Sequence, residues 1–197
     1  MRKGEETREK ILHRAARLFN EKGYFGSSLT DIMRVTGLQK GGVYNHFDSK
    51  QRLALEAFDY ALERVSERFE RALAGKRHAA NRLLAIISVF RDYSADPPIA
   101  GGCPIMNTAI ESDDAHPALR ERARRAMDQF RDLIRRIVSK GIERGEIRET
   151  VDPDQTATLL IASLEGAVML SKLYKDSAHL ACVADHLTEY IEASVRK

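Results

Sequence analysis

Apolar residues recur along this chain at helical spacing, and nowhere in the alternating pattern of a strand. Ile11, Leu12, Ala15, Ala16 and Phe19 line one side of a first helix over residues 3–22, and Gly23 ends it. Ile32, Met33 and Val35 give an apolar side to a second, two-turn helix. Its start is marked by Ser28 with Asp31 three places on, and its stop by Gly37. A third helix is expected over Lys40–His46, about 10 Å long at 1.5 Å per residue, with Val43 and Phe47 turned inward together. Phe19, Tyr24, Leu29, Ile32, Val35, Leu38, Val43 and Phe47 then make a small three-helix core.

The pattern continues in longer helices. Leu53, Leu55, Phe58, Leu62, Val65 and Phe69 predict a fourth over about 50–73, a coupler leaving the small N-terminal unit. A fifth over about 77–94 carries Leu83, Ile86, Ile87, Val89 and Phe90 and stops at Pro97-Pro98. Cys103-Pro104 opens a short sixth, which ends before the acidic Asp113-Asp114 turn. A seventh runs from about Pro117 to Arg144, closed by Gly145. An eighth, about 153–174, is apolar almost all round, as for a helix covered on two sides, and a ninth spans about 177–195. The fold class is all-α with about nine helices. A helix-turn-helix domain is expected over residues 1–50 and a second helical domain over 51–197.

Charge points to what the first domain meets. Residues 1–50 hold ten Lys/Arg against six Asp/Glu, while the whole chain is only +3, so the positive excess lies in the helix-turn-helix. The outer side of the third helix presents Gln39, Lys40, Gly41, Gly42, Tyr44, Asn45 and His46. Lys40 suits a phosphate, Asn45 and His46 suit base edges or phosphates, and the Tyr44 ring suits a thymine methyl. The two glycines allow close approach to the groove floor. Ser28, Thr30, Lys50 and Thr7, the last near the first helix N-terminus, are further candidates for phosphate contact. Read without the rest of the chain, the same residues also describe a helical hairpin with a solvated polar face. A reading helix this short sees few base pairs, so two of them on a palindromic operator are required.

Other chemistries find little support. The six histidines (13, 46, 78, 116, 179, 186) make no catalytic spacing, no phosphate-cradling Gly loop follows a strand, and Cys103 and Cys182 form no disulfide framework or zinc site. No enzyme, cofactor or metal is expected. The N-terminus lacks a signal-peptide core, and the apolar stretch Ala157–Leu170, interrupted by Glu165, is short for a bilayer, so a cytoplasmic protein without membrane contact is expected. Arg120, Arg122, Arg124, Arg125, Arg131, Arg135 and Arg136 line helix seven, but Glu121, Asp128 and Asp132 interleave at i+3 and i+4, favouring an ion-paired solvated face over a second nucleic-acid surface.

The stretch SSLTDIMRVTGLQKGGVYNHFDSKQRLALEAF, with TREKILHRAARLFNEKGYFGSSL leading into it, resembles the N-terminal domain of the TetR family of bacterial transcription regulators. Ser28, Ile32, Gly37, Lys40, Gly41, Tyr44, His46, Phe47 and Lys50 carry the resemblance. It is specific over residues 7–60 and weaker beyond. Gly42 stands where the family commonly has Thr, Ala or Ser, which removes one contact and shifts base reading toward Gln39, Lys40, Tyr44 and Asn45. The resemblance implies a homodimer, a small-molecule effector and a C-terminal ligand-binding and dimerisation domain, in a protein that is commonly a repressor. The Gly-Cys-Pro-x-x-Asn stretch is similar to one at the edge of the effector cavity in some members, making Cys103, Met106 and Asn107 pocket candidates or, equally, packing at a helix junction. Phe90, Met127, Phe130 and Met169 supply an apolar lining for an apolar or amphipathic effector. Glu165, a carboxylate in an apolar helix, requires a ligand, a basic partner across the dimer, or an escape to solvent. Thiol-based redox or electrophile sensing through Cys103 is the alternative reading.

Overall fold

A computed structural model describes residues 3–112 and 115–197; the Asp113-Asp114 turn lies outside the described residues. Nine α-helices follow one another among them: α1 (Lys3–Lys22), α2 (Leu29–Thr36), α3 (Lys40–Tyr44), α4 (Lys50–Leu73), α5 (Ala79–Arg91), α6 (Pro104–Ser112), α7 (Pro117–Glu143), α8 (Pro153–Tyr174) and α9 (Ala178–Tyr190). A 3₁₀ turn follows α5 and a π turn follows α9. Extended pairing amounts to a single Ile147–Arg196 bridge among the described residues. The helices lie within two residues of the periodic pattern in most cases. The exception that matters is α3, five residues instead of the seven expected. The chain leaves the helix at Tyr44, and the Asn45 N–H already closes onto the Gly41 carbonyl.

The chain divides into two compact units, residues 1–66 with 98–124, and residues 67–97 with 125–197. The expected boundary at residue 50 cuts through the first of these. Its core explains why: Ile11, Ala15, Ile32, Val43 and Phe47 pack with Leu53, Ala57 and Ala61 of α4 and with Ile99. Three short helices alone bury too little apolar surface, and α4 completes them. α6 belongs to this unit as well.

The second unit is built on α5, α8, α9 and most of α7. Leu83, Ile86, Ile134, Leu160, Leu164, Leu180 and Ile191 are almost wholly buried there. α8 starts at Asp152, whose carboxylate accepts the Gln155 N–H at 2.6 Å, with Pro153 in the first turn where no N–H is needed. Its 22 residues exceed the apolar stretch legible in the sequence and by length and composition alone suffice to cross a bilayer. One side is nevertheless committed to the unit: Leu160, Leu164, Glu165 and Val168 are buried. The opposite side leaves Leu159, Met169, Leu173 and Tyr174 exposed, Leu173 by 68%. Met169, expected to line a cavity, is instead on this outer side, because the helical turn that buries Leu164, Glu165 and Val168 carries position 169 outward.

Candidate nucleic-acid interface

The helix-turn-helix is set by its caps. Ser28 Oγ accepts the Asp31 N–H at 3.1 Å, and the Asp31 carboxylate accepts the Ser28 N–H at 2.9 Å, the two halves of a capping box. Lys22 reaches the same carboxylate at 2.7 Å and ties the end of α1 to the start of α2. Lys22, the Ser28 hydroxyl and N–H, and Arg34 together hold the Asp31 carboxyl well below the usual carboxylate range. Gly37, at φ +72°, closes α2 in the left-handed conformation that glycine adopts without strain. Ser28 therefore has a structural task that uses its hydroxyl, beside any phosphate it meets.

α3 sits on this frame with Val43 and the following Phe47 each 2% exposed. The Arg8 guanidinium lies 4.9 Å over the Phe47 ring and pairs with Glu56, which also takes Arg52 at 2.6 Å. One arginine thus joins α1, the end of the α3 segment and α4. Arg14 donates to the Val35 carbonyl at 2.6 Å and fixes α2 against α1. What remains on the outside is the expected set. Thr30, Gln39, Lys40, Gly41 and Asn45 are exposed, and Thr7, Gly42, Tyr44 and His46 are half-buried. Lys40 Nζ lies 6.0 Å from the Tyr44 ring centre, so the cation and the ring share one patch. Among the described residues nothing beyond its own helix lies within 4 Å of a Cβ built on Gly41, and on Gly42 it would meet the Leu38 side chain at ordinary contact distance, 3.4 Å at the nearest. Packing inside the chain requires neither glycine, although each costs a helix about 1 kcal/mol relative to alanine.

Lys50 departs from expectation. Its ammonium donates to the Tyr24 carbonyl at 2.6 Å and lies 4.2 Å over the Tyr24 ring. Burial lowers its pKa, partly offset by the Glu111 carboxylate. Its charge serves the turn between α1 and α2 rather than an outer face.

The same turn holds the residues that sequence reasoning missed. Glu111 of α6 accepts the backbone N–H groups of Tyr24 and Phe25, both at 2.8 Å. A Cβ on Gly23 would be strained at φ +83° and would stand 2.4 Å from that carboxylate, pushing it off these N–H groups. Asn20 donates to the carbonyls of Ala100 and Gly102 at 2.8 and 2.9 Å. Asn107 donates to Asn20 Oδ1 and to Gly101 O, both at 2.9 Å. The Asn107 amide is consumed at this junction, which favours helix-junction packing, one of its two expected roles, over a ligand contact. Beneath lies a small cavity of about 30 Å³, edged by Phe19, Tyr24, Phe58, Thr108 and Glu111, room for about two waters. Glu111→Ala removes an ionised acceptor from two backbone donors. It is expected to lower stability by about 1–3 kcal/mol in urea unfolding and to weaken DNA binding in the same samples.

The effector candidates are divided between the two units. Cys103 and Met106 belong with the first unit and Phe90, Met127, Phe130, Glu165 and Met169 with the second. Phe90 stacks on Tyr93 at 5.4 Å and packs on Phe130 at 6.0 Å, and Phe69 lies 5.2 Å from Phe130. These rings fill their space with one another. Cys103 is buried and Met106 half-buried, while Glu165 is only 8% exposed.

Comparison with known proteins accounts for the arrangement. Residues 11–57 match the model of bacterial regulatory proteins of the tetR family, and residues 79–187 match the tetracyclin repressor-like C-terminal domain. The HTH-type transcriptional repressor DhaR of Mycobacterium sp. (strain GP1) is 30% identical over 86% of this chain and 84% of its own. A TetR transcriptional regulator from Chloroflexus aurantiacus J-10-fl is 54% identical with a TM-score of 0.96, covering 100% of this chain and 99% of its own. A TetR-family regulator from Cytophaga hutchinsonii is 33% identical with a TM-score of 0.89, covering 100% and 98%. The chain belongs to the TetR family of bacterial transcription regulators, helix-turn-helix DNA-binding proteins and not enzymes.

Proposed function

We propose that this regulator is a cytoplasmic homodimeric repressor that reads a palindromic operator through two copies of α3 and leaves it when a small apolar or amphipathic effector binds. The observation that carries the reading is the patch of exposed Gln39, Lys40 and Asn45 with half-buried Tyr44 on a capped, packed frame. Five residues of helix reach too few bases for a useful site. Two such segments about 34–36 Å apart read successive major grooves on one side of the duplex.

α8 supports the dimer. Gln155, Leu159, Ala162, Gly166, Met169 and Leu173 recur at spacings of four and three, the seam of a packed helix pair. Among the described residues nothing beyond its own helix lies within 4 Å of a Cβ on Gly166, which leaves room for an approaching partner helix.

Release requires an effector that prefers the non-binding state, since affinity alone shifts no equilibrium. In the second unit such a ligand must reorder the Phe69–Phe90–Phe130 cluster, which favours an apolar body. The thiol alternative is weakened by the burial of Cys103, since thiol chemistry needs access.

A gel shift with palindromic duplexes at several salt concentrations tests the reading. Lys40→Ala is expected to weaken binding to all sequences and to reduce the salt slope by about one. Tyr44→Ala is expected to cost about 1–3 kcal/mol on the operator and little on random DNA. Binding indifferent to salt and sequence rejects the proposal.

A further inference from the structure

The basic residues along α7 and just past its end include two sets with different chemistry. Arg122 pairs with Asp59, Arg124 with Glu121, Arg131 with Asp154, and Arg135 with Asp132 and Asp154. These meet the expectation of an ion-paired face. Arg136, Lys140 and Arg144 do not. They lie at i, i+4 and i+8, one line on the helix, and none has a carboxylate partner among the described residues.

Opposite this line, the start of α5 and the turn before it bring Lys76, Arg77 and Arg82, again without a carboxylate partner among the described residues. The two basic lines enclose an open cleft of about 640 Å³ within the second unit, with Leu133, Ile137 and Ala79 along its floor. No acidic residue lines it. Glu146, after the end of α7, accepts the Ala79 N–H at 2.7 Å. The approach of α5 to α7 is built in: a Cβ on Gly141 would stand 2.6 Å from Ala79 Cβ and 2.7 Å from Ile147 Cδ1. A residue with no side chain, in a helix that pays for it, sets two cationic lines across one concave floor.

Six unpaired cations around one cleft repel each other, a cost that salt screens and a multivalent anion removes. A single carboxylate leaves most of that charge uncompensated. Duplex DNA presents a broad convex surface, whereas this cleft is concave, apolar at its base and of the size that takes one small molecule. Arginine is the side chain best shaped to hold phosphate oxygens in pairs, and four of the six cations are arginines. We propose that this cleft binds an oligophosphate ester, with the phosphates among the Arg/Lys lines and the organic group against Leu133 and Ile137.

The test uses the full-length protein at low salt, with calorimetric titration and thermal melting against tripolyphosphate and ATP, both free of metal. Binding is expected to strengthen from phosphate through pyrophosphate to tripolyphosphate, with ATP tighter than tripolyphosphate because of the floor. Arg136→Gln with Lys140→Gln is expected to weaken ATP at least tenfold and to abolish its melting shift. Without ligand the same variant melts no lower than the parent, because repulsion is relieved. Arg131→Gln, on the same helix but ion-paired, is expected to bind ATP as the parent does. Unchanged ATP binding by the double variant overturns the proposal. So does loss of random duplex binding by that variant while ATP gives no shift in the parent, which would make the face a nucleic-acid surface.

Discussion

Phe47→Ala is expected to abolish operator binding at concentrations where the parent saturates, and to do so without touching a DNA-facing side chain. Phe47 is 2% exposed and packs in one core with Ile11, Ile32, Val43 and Leu53. Its ring also carries the Arg8 guanidinium at 4.9 Å, the arginine that reaches on to Glu56. Truncating a buried phenylalanine costs about 3–5 kcal/mol. A domain of this size commonly has about 5–15 kcal/mol in all. The loss falls on the first unit, whose core has few large side chains to absorb it. α3 is too short to persist without packing. Circular dichroism melting is expected to show an early transition for the first unit, with the second unit melting near its parent temperature. Phe47→Leu, which keeps most of the volume, is expected to cost under half as much and to retain operator binding at low temperature. Full operator affinity in Phe47→Ala would show that α3 is positioned by something other than this core.

The local signals in the sequence were the dependable ones. Ser28 with Asp31, Gly37, and Asp152 with Pro153 act within a turn of their own position, and the helices begin and end on them. Val43 and Phe47 face inward as an i, i+4 pair must, and the α3 patch is outside because they are inside. What was not legible depends on partners far along the chain. Glu111 meets backbone N–H groups 86 and 87 residues away, and Asn107 meets Asn20 at a separation of 87. Periodicity carries no record of such pairings, so it cannot decide between pocket and junction for Asn107 and gives Glu111 no role. Lys50 was misplaced for a related reason: a lysine at a helix start has the reach to turn to solvent or back onto a carbonyl, and only the position of Tyr24 decides. Met169 shows the limit of reading an all-apolar helix, where composition cannot say which side a partner covers. The split among the α7 cations was half-visible, since 136, 140 and 144 share a line, but the absence of opposing carboxylates is a fact of three dimensions.

Charging the outer side of α8 is expected to separate dimerisation from DNA contact. Met169 and Leu173 are exposed by 46% and 68%, so Met169→Glu with Leu173→Glu removes little packing from the single chain. Surface changes of this kind are usually worth within about 0.5 kcal/mol, and the melting temperature should hardly move apart from any concentration-dependent part. In a dimer joined along α8, the two carboxylates of each chain are buried against their copies. Desolvated like charges are not tolerated there. Sedimentation velocity is expected to give a monomer for the variant and a dimer for the parent. Operator affinity is then expected to fall by about 10²–10⁴-fold, because the second half-site loses the effective concentration supplied by the first. The residual binding should keep the salt dependence of a single helix-turn-helix and its sensitivity to Tyr44→Ala, which distinguishes this outcome from unfolding. Gly166→Ala sharpens the same test from the other direction. Its Cβ meets nothing within the chain and the helix gains up to about 1 kcal/mol, so a weaker dimer made from a more stable chain can only come from a partner surface pressed against position 166. A dimer unaffected by both changes would place the two-fold contact elsewhere and leave the apolar side of α8 to another partner.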